Sequence, residues 1–489
     1  MTTISNPTGA LARRRWYGLA ALCAAFFMVI LDVAIVNVAL PTIQVDLGFS
    51  PKDLQWVVSA YALTFGGLLL LGGRIADLVG RRRVFIGGVA LFAAASLVAG
   101  LATTEATLIA ARAVQGIGAA AMTPAALSIL MTTFAEGRER NTALGVWGAV
   151  GASGGTVGVL LGGVFTDTIG WEWIFLLNVP VGIAVVASAP FLLQDSRAET
   201  ARRRFDLLGG VTVTASLALL VYALVQASSD GWTSAVTVGR LAVSAVLMAA
   251  FVVIERRSKA PLMPFGIFRI RAVTGSNVAG FALGGAMFGM FFIMTLYMQQ
   301  VVAYSPLQTG LAYLATSLAA LVASVGGSVL VTRIGPRMPM AVGLLAFAGG
   351  VLLLAQVPVH GEYVADLLPG LLISGAGLGL AFVAFSIGAL EGVPGRLAGL
   401  ASGLSNTTQQ IGGALGTAVM STLAITRTED LVTGGTDRAQ ALTDGFQLAL
   451  YAAVALAAAG AVAVLVLIRR PRPAEAEAVA QVAAEGTSA

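Results

Sequence analysis

Apolar residues in this chain neither alternate nor keep to one face of a helix. They run in long unbroken blocks, separated by short polar links rich in arginine. A helix that spans a bilayer needs about 20 mostly apolar residues, because its backbone polar groups must be satisfied within the segment. Fourteen blocks meet that pattern. The first six are Trp16–Leu40, Asp53–Gly73, Val84–Ala102, Thr107–Met131, Asn141–Thr166 and Trp173–Leu193. Two more, Leu207–Ala227 and Ala235–Ile254, lie between the longest links. The last six are Ala272–Gln300, Leu307–Val331, Pro339–Val357, Ala365–Leu390, Leu397–Ile425 and Gly445–Ile468. The pattern predicts an all-α polytopic membrane protein with 14 transmembrane helices.

The links predict which end of each helix faces the cytoplasm. With the N-terminus placed inside, 24 of the 29 Lys and Arg residues fall on the cytoplasmic side. That asymmetry is the positive-inside pattern, and it predicts both termini in the cytoplasm. Arg13–Arg15 before the first block resemble the start of a signal peptide. The block is too long for one and ends without a small-residue cleavage site, so it is read as a retained helix. The predicted organisation is an N-terminal six-helix bundle over residues 1–195 and a linker with two inserted helices over 196–262. A second six-helix bundle covers 263–470, and a disordered cytoplasmic tail covers 471–489. A faint internal echo supports duplication. GRIADLVGRRR (Gly73–Arg83) follows the second block, and GSVLVTRIGPR (Gly327–Arg337) follows the tenth. Transporters are often built from such repeats.

Composition agrees with this reading and removes others. The chain has 489 residues, 57% hydrophobic and 11% charged, with mean hydropathy +0.88. A soluble domain carries roughly 25% charged residues. The net charge of +5 does not mark a nucleic-acid binder, because the basic residues sit in short clusters between apolar runs. Cys23 is the one cysteine and His360 the one histidine. That inventory builds no disulfide, zinc site or Ser-His-Asp triad, so neither a metal site nor an enzyme is expected.

Candidate chemistry begins where polar residues interrupt apolar blocks. FMVILDVAIVNVALP (Phe27–Pro41) carries Asp32 and Asn37. A charge at such depth costs roughly 2.5–3.5 kcal/mol on insertion scales. Asp32 is therefore either a proton-carrying site or a structural hydrogen-bond partner. In LIAARAVQGIGAAAMTP (Leu108–Pro124), Arg112 and Gln115 share a helix face. A buried Arg needs a partner. Asp32 is the best candidate, and a snorkelling Arg near a helix end is the alternative. WGAVGASGGTVGVLLGG (Trp147–Gly163) presents Gly151, Gly154, Gly155, Gly158 and Gly162. Such spacing allows close backbone approach, either as static packing or as a sliding contact. In SGLSNTTQQIGGALG (Ser402–Gly416), Asn406, Gln409 and Gln410 form a polar stripe that suits a water-lined cavity or interhelical bonding. The ninth block offers Phe288, Phe291 and Met294, which adapt to irregular apolar ligands or simply fill the core.

Together these stretches resemble the major facilitator superfamily, and its fourteen-helix drug:proton antiporters in particular. LDVAIVNVALP (Leu31–Pro41) is similar to that branch's first-helix motif. GRIADLVGRRR is similar to the superfamily's loop signature, Leu108–Ala120 to its fourth-helix motif, and Trp147–Gly163 to the antiporter motif. WEWIFLLNVPVG (Trp171–Gly182) and GLSNTTQQIGGALG (Gly403–Gly416) also match. The resemblance implies a bacterial cytoplasmic (inner) membrane exporter with protons as coupling ion and no cofactor. Asp32 would be the proton site and Arg112 its tuning partner. Gly73, Arg74, Asp77, Gly80, Arg81 and Arg82 would form the gating loop, with Asp77 facing the start of helix 13. Asn37, Gln115, Phe288, Phe291, Met294, Asn406, Gln409 and Gln410 would line the substrate cavity. The implied partners are small lipophilic substrates and membrane lipids, and the chain is read as a monomer. Two departures matter. Gly155 and Val159 stand where the antiporter motif carries prolines. The tenth block has no acidic residue, which points to monovalent or neutral substrates rather than divalent cations.

Overall fold

The computed structural model describes residues 7–134, 138–194, 207–258, 261, 265–393 and 398–468. Among them the chain is helical, in fourteen long helices. The first six are α1 (Pro7–Leu47), α2 (Trp56–Val79), α3 (Arg81–Gly100), α4 (Glu105–Thr133), α5 (Arg138–Thr168) and α6 (Asn178–Leu192). The pair α7 (Leu207–Asp230) and α8 (Ala235–Arg257) follows. The last six are α9 (Arg271–Leu296), α10 (Pro306–Ile334), α11 (Arg337–Leu354), α12 (Leu368–Gly388), α13 (Ala398–Thr433) and α14 (Arg438–Leu467). Ten helical segments among the described residues are long and apolar enough to cross a membrane.

Each helix matches one predicted block, and the differences lie at the ends. The first block was expected to stop before Pro41, because proline leaves the carbonyl four residues back without its donor. Instead α1 continues through Pro41 to Leu47. Tertiary contacts hold this extension: Ile43 is fully buried. Gln44 accepts from Gln300 at 2.8 Å, and Asp46 accepts from the Trp171 indole at 3.0 Å. The end of α9 widens instead, passing into a π turn at Tyr297–Val301. The next link contains Ala303 at φ +62°, where a side chain is disfavoured.

The echo between the two sequence stretches has a structural counterpart. Gly80 alone links α2 to α3, at φ +121°, and Gly335 follows α10 at φ +77°. Two residues past each glycine, an arginine reaches the C-terminal end of a distant helix. Arg82 donates to the Pro190 and Leu193 carbonyls at the end of α6, at 3.3 and 3.1 Å. Arg337 donates to the Leu465 carbonyl near the end of α14, at 2.6 Å. Helix C-termini leave carbonyls without donors and carry partial negative charge, so a guanidinium satisfies both. Gly88 and Gly343, each at the same distance past its link glycine, bring α3 against α4 and α11 against α12. A Cβ at either would lie 2.7 Å or less from neighbouring backbone. Replacing Gly80 by valine forces a β-branched residue into a φ that only glycine adopts readily, at a cost of about 1–3 kcal/mol. A thermal melt of the purified carrier is expected to show a clearly lower Tm; an unchanged Tm removes Gly80 as a structural requirement.

The inserted pair is stitched together by two reciprocal bonds. Ser216 Oγ donates to the Ser244 carbonyl and Ser244 Oγ to the Ser216 carbonyl, both at 2.8 Å. The pair lies alongside α2 and α13 through α7. At the end away from Gly80, α1 and α5 meet α9 and α10. Gln299 Nε2 donates to the Val38 carbonyl at 2.8 Å, and a Cβ on Gly163 would meet the backbone of Pro306 and Leu307.

Candidate functional site

Asp32 is fully buried on α1, and residues of α2, α3, α4 and α6 gather around it. Arg112 on α4 is also buried, and its Nη1 lies 2.5 Å from Asp32 Oδ2. Arg112 is committed in three directions. Nε donates to the Val57 carbonyl at the start of α2 at 2.8 Å, and Nη1 also donates to Gln115 Oε1 at 2.9 Å. Its flat face lies over the Tyr61 ring at 4.4 Å and, more distantly, the Phe175 ring at 5.7 Å. Two rings flanking one guanidinium shield it from water and add cation–π attraction.

Neutral amides complete the shell of the carboxylate. Gln115 Nε2 donates to Asp32 Oδ1 at 3.1 Å and to Ser96 Oγ on α3 at 2.7 Å. Asn178 Nδ2, on the first residue of α6, donates to the same Oδ1 at 3.3 Å. Helical spacing explains the arrangement: Arg112 and Gln115 are three residues apart on α4 and therefore face α1 together. In this state the carboxylate meets one cation and two amide donors. Breaking such a pair by removing one partner is costly, typically 3–5 kcal/mol, because the other charge stays buried.

The expected Asp32–Arg112 contact is present, so the snorkelling alternative for Arg112 does not hold. Gln115, expected on the cavity wall, is instead fully engaged in the Asp32 cluster. Asn37 is buried beside it on α1 but donates to its own helix, at the Val33 carbonyl (2.7 Å), and does not touch Asp32. Ser96, Asn178 and Tyr61 were not singled out as site residues. Asn178 had a signal, since it is the lone amide within WEWIFLLNVPVG. Ser96 and Tyr61 look like ordinary helix residues, and only the crossing of α2, α3 and α4 brings them in.

The expected cavity residues divide. Phe288 on α9 and Gln410 on α13 line a small cavity with Val33, Val36, Val58, Tyr61, Ala62 and Arg112. Phe291 packs instead against Tyr313, with ring centres 4.9 Å apart and planes tilted by 53°, and Met294 is buried in the core. The polar stripe on α13 is split. Gln409 and Gln410 are buried, while Asn406 is exposed and donates to the Ser402 carbonyl at 3.1 Å.

The α5 glycines form a seam on α1. A Cβ on Gly151 would meet Phe26, on Gly154 Ile30, on Gly158 Ala34 and the Leu31 carbonyl, and on Gly162 the Ile35 carbonyl. Gly155 departs from the seam and has nothing within 4 Å. Of the gating-loop residues, Gly73 packs by Pro124, and Gly80 and Arg82 take the places described above. The side chains of Arg74 and Asp77, and with them the expected contact of Asp77 with the start of α13, lie outside the described residues. So do the 471–489 tail and residues 195–206 of the link before α7.

Long apolar helices packed through glycines around a buried carboxylate–guanidinium pair describe a membrane-embedded carrier. The chain belongs to the Major Facilitator Superfamily, whose family model matches residues 22–417. It is 40% identical over 449 residues to the puromycin resistance protein pur8 of Streptomyces alboniger, covering 90% of this chain and 88% of that one. It is 43% identical over 411 residues to the cephamycin export protein CmcT of Amycolatopsis lactamdurans, covering 83% and 84%. The multidrug resistance protein Stp of Mycobacterium tuberculosis is 37% identical over 404 residues, covering 82% of this chain and 74% of Stp. In fold, the chain is similar to the crystal structure of a bacterial homolog of the human lysosomal transporter Spinster. The TM-score is 0.67 at 17% identity, over 96% of this chain and 100% of that one. This protein is thus a membrane transporter whose relatives are antibiotic resistance and export proteins.

Proposed function

We propose that the protein expels lipophilic, cationic or neutral drugs across the bacterial cytoplasmic membrane in exchange for protons. In this reading fourteen helices span the membrane as six, an inserted pair and six, with both termini inside. The single observation that carries it is the fully buried Asp32 held by Arg112. A packing role alone is a poor account of a charge pair in a bilayer, where apolar residues of equal volume pack as well or better.

The cycle follows from this geometry. With the carrier open outward, Asp32 takes a proton from outside. Its neutral form no longer balances Arg112, and the Arg112–Gln115–Asn178 shell relaxes, which favours substrate release. The carrier then rocks, and the proton leaves inside as the ion pair re-forms. The links from Gln299 to Val38 and from Gln300 to Gln44 support reading the present state as shut at its outer end. For a neutral substrate, one charge crossing 100 mV supplies about 2.3 kcal/mol, enough for more than tenfold accumulation, whereas one-for-one exchange with a monovalent cation moves no net charge and draws on the pH difference alone.

A second reading is a dedicated exporter of one secondary metabolite or lipid. It is favoured by relatives named for single compounds, including the tetracenomycin C resistance and export protein of Streptomyces glaucescens. Proteoliposomes with a trapped pH-sensitive dye separate the two. Proton release triggered by several unrelated lipophilic cations and neutral drugs is expected for multidrug exchange. A response to one compound favours the dedicated exporter, and transport without any proton movement sinks the antiport reading.

A further inference from the structure

The inserted pair takes no part in the proton cycle, yet its two sides are built differently. Toward the first six helices α7 makes polar and aromatic contacts. Thr214 Oγ1 donates to the Gly67 carbonyl of α2 at 3.2 Å, and a Cβ on Gly67 would touch Thr214. Further along, Lys52 Nζ, just before α2, donates to Gln226 Oε1. The Trp56 and Tyr222 rings lie 6.3 Å apart. Arg240 of α8 covers the Tyr222 ring at 4.9 Å and pairs with Asp230, which holds α8 to this end of α7. Hydrogen bonds are directional, so these contacts fix the register of α7 on α2. Toward α13 the same helix offers Leu217 and Val221, one turn apart, in a cluster with Ala414 and Ala418, also one turn apart. Apolar burial is non-directional, so that register can change at little cost.

The seam between α2 and α13 needs such a cover. A Cβ on Gly66 would lie 2.7 Å from Gln410 Cβ and 3.3 Å from the Thr407 carbonyl, so this face of α13 meets α2 directly. Thr407, Gln410 and Thr417 share the face and are buried. Thr407 Oγ1, Gln410 Oε1 and Thr417 Oγ1 have no hydrogen-bond partner among the described residues. Unpaired polar atoms cannot turn to hydrocarbon without a cost of several kcal/mol each. When α13 shifts against α2, an apolar helix lying over the seam keeps lipid away from them. Resting on the alternating-access reading above, we propose that the first six helices carry the inserted pair as a seal over the α2–α13 seam, and that α13 slides along it.

Spin labels test this on the full-length carrier in lipid nanodiscs, with Cys23→Ala removing the native thiol. They replace Thr233 in the α7–α8 link, Val45 near the end of α1 and Glu429 near the end of α13, all exposed. Pulsed electron paramagnetic resonance gives the pairwise distances at acid and alkaline pH, with and without tetraphenylphosphonium. The Val45–Glu429 and Thr233–Glu429 distances are expected to shift together by several ångströms, while Thr233–Val45 stays fixed. A Thr233–Val45 distance that moves, a Thr233–Glu429 distance that stays, or no change in any pair overturns the seal. A disulfide adds a second check, since a Cβ on Gly67 would lie 3.7 Å from the Thr214 Cβ, within bridging range. Gly67→Cys with Thr214→Cys should move tetraphenylphosphonium equally well oxidised and reduced; loss on oxidation that reductant reverses overturns the proposal. The distances decide the seal whether or not that probe is exported. Shifts of the expected pattern that ignore both pH and Asp32→Asn support the seal and sink proton coupling instead.

Discussion

Asp32→Asn is expected to abolish uphill efflux while leaving a measurable share of the carrier folded. Asparagine is nearly isosteric and its oxygen still accepts from Arg112, so α1 keeps its packing against α4 and α6, but the Arg112 charge is left buried without its anion and the yield of folded protein should fall. What disappears is the group proposed to take the proton. For a neutral substrate, one charge through 100 mV is worth about 2.3 kcal/mol, so a one-proton exchange would sustain a substrate gradient of about fifty-fold. In the variant that gradient should fall to unity, while substrate still equilibrates down its own gradient. Acidifying the outside should accelerate efflux by the unaltered protein and leave the variant unchanged. The measurement is substrate accumulation in proteoliposomes across a series of external pH values. Full uphill transport by Asp32→Asn defeats the proton-site assignment and returns Asp32 to helix packing.

Arg112 gives the complementary result. Arg112→Leu leaves a buried carboxylate without its cation, a loss of about 3–5 kcal/mol, and should lower the yield of folded protein. Removing both charges, as Asp32→Asn with Arg112→Leu, should restore most of that yield without restoring uphill transport. Arg112→Lys should not substitute, because one ammonium cannot reach Val57, Gln115 and Asp32 in the directions the guanidinium does.

How much of this was legible in the sequence follows from what each feature depends on. The fourteen helices were readable because apolar length is a local property. Their ends were less so: α1 passes Pro41 because Gln300 and Trp171 hold the extension, and neither is a sequence neighbour. The Asp32–Arg112 pair was readable because charges are scarce in apolar blocks and each needs a partner. Gln115 was placed on the right helix face but on the wrong neighbour. Whether that face meets a cavity or a carboxylate depends on how α4 crosses α1. Tyr61 left no trace, since one tyrosine in an apolar helix is unremarkable until its unpaired hydroxyl and its position over Arg112 are seen. The glycine run on α5 announced close packing, but not which glycines touch α1.

That last distinction carries the second large effect. Gly158→Val should be severe and Gly155→Ala nearly silent, although the two glycines are neighbours on α5. A Cβ at Gly158 would come within 2.9 Å of both the Ala34 Cβ and the Leu31 carbonyl. The backbone oxygen cannot turn aside, so α5 must move off α1 beside Asp32. Overpacking of this kind costs about 1–3 kcal/mol before the displaced Asp32 shell is counted. At Gly155 a methyl meets open space, and replacing a helical glycine by alanine is favourable by about 0.5–1 kcal/mol. The stacked rings of Phe26 and Trp147, 4.1 Å apart, continue the seam toward the start of α5. The seam therefore joins two helices of the same six. If it acts as a fixed brace beside Asp32 rather than as a sliding surface, disturbing it costs folded protein. Gly158→Val should cost folded yield in detergent size-exclusion chromatography, whereas Gly155→Ala should not. Normal yield and transport for Gly158→Val would mean that α5 and α1 separate freely, and the brace would have to be abandoned.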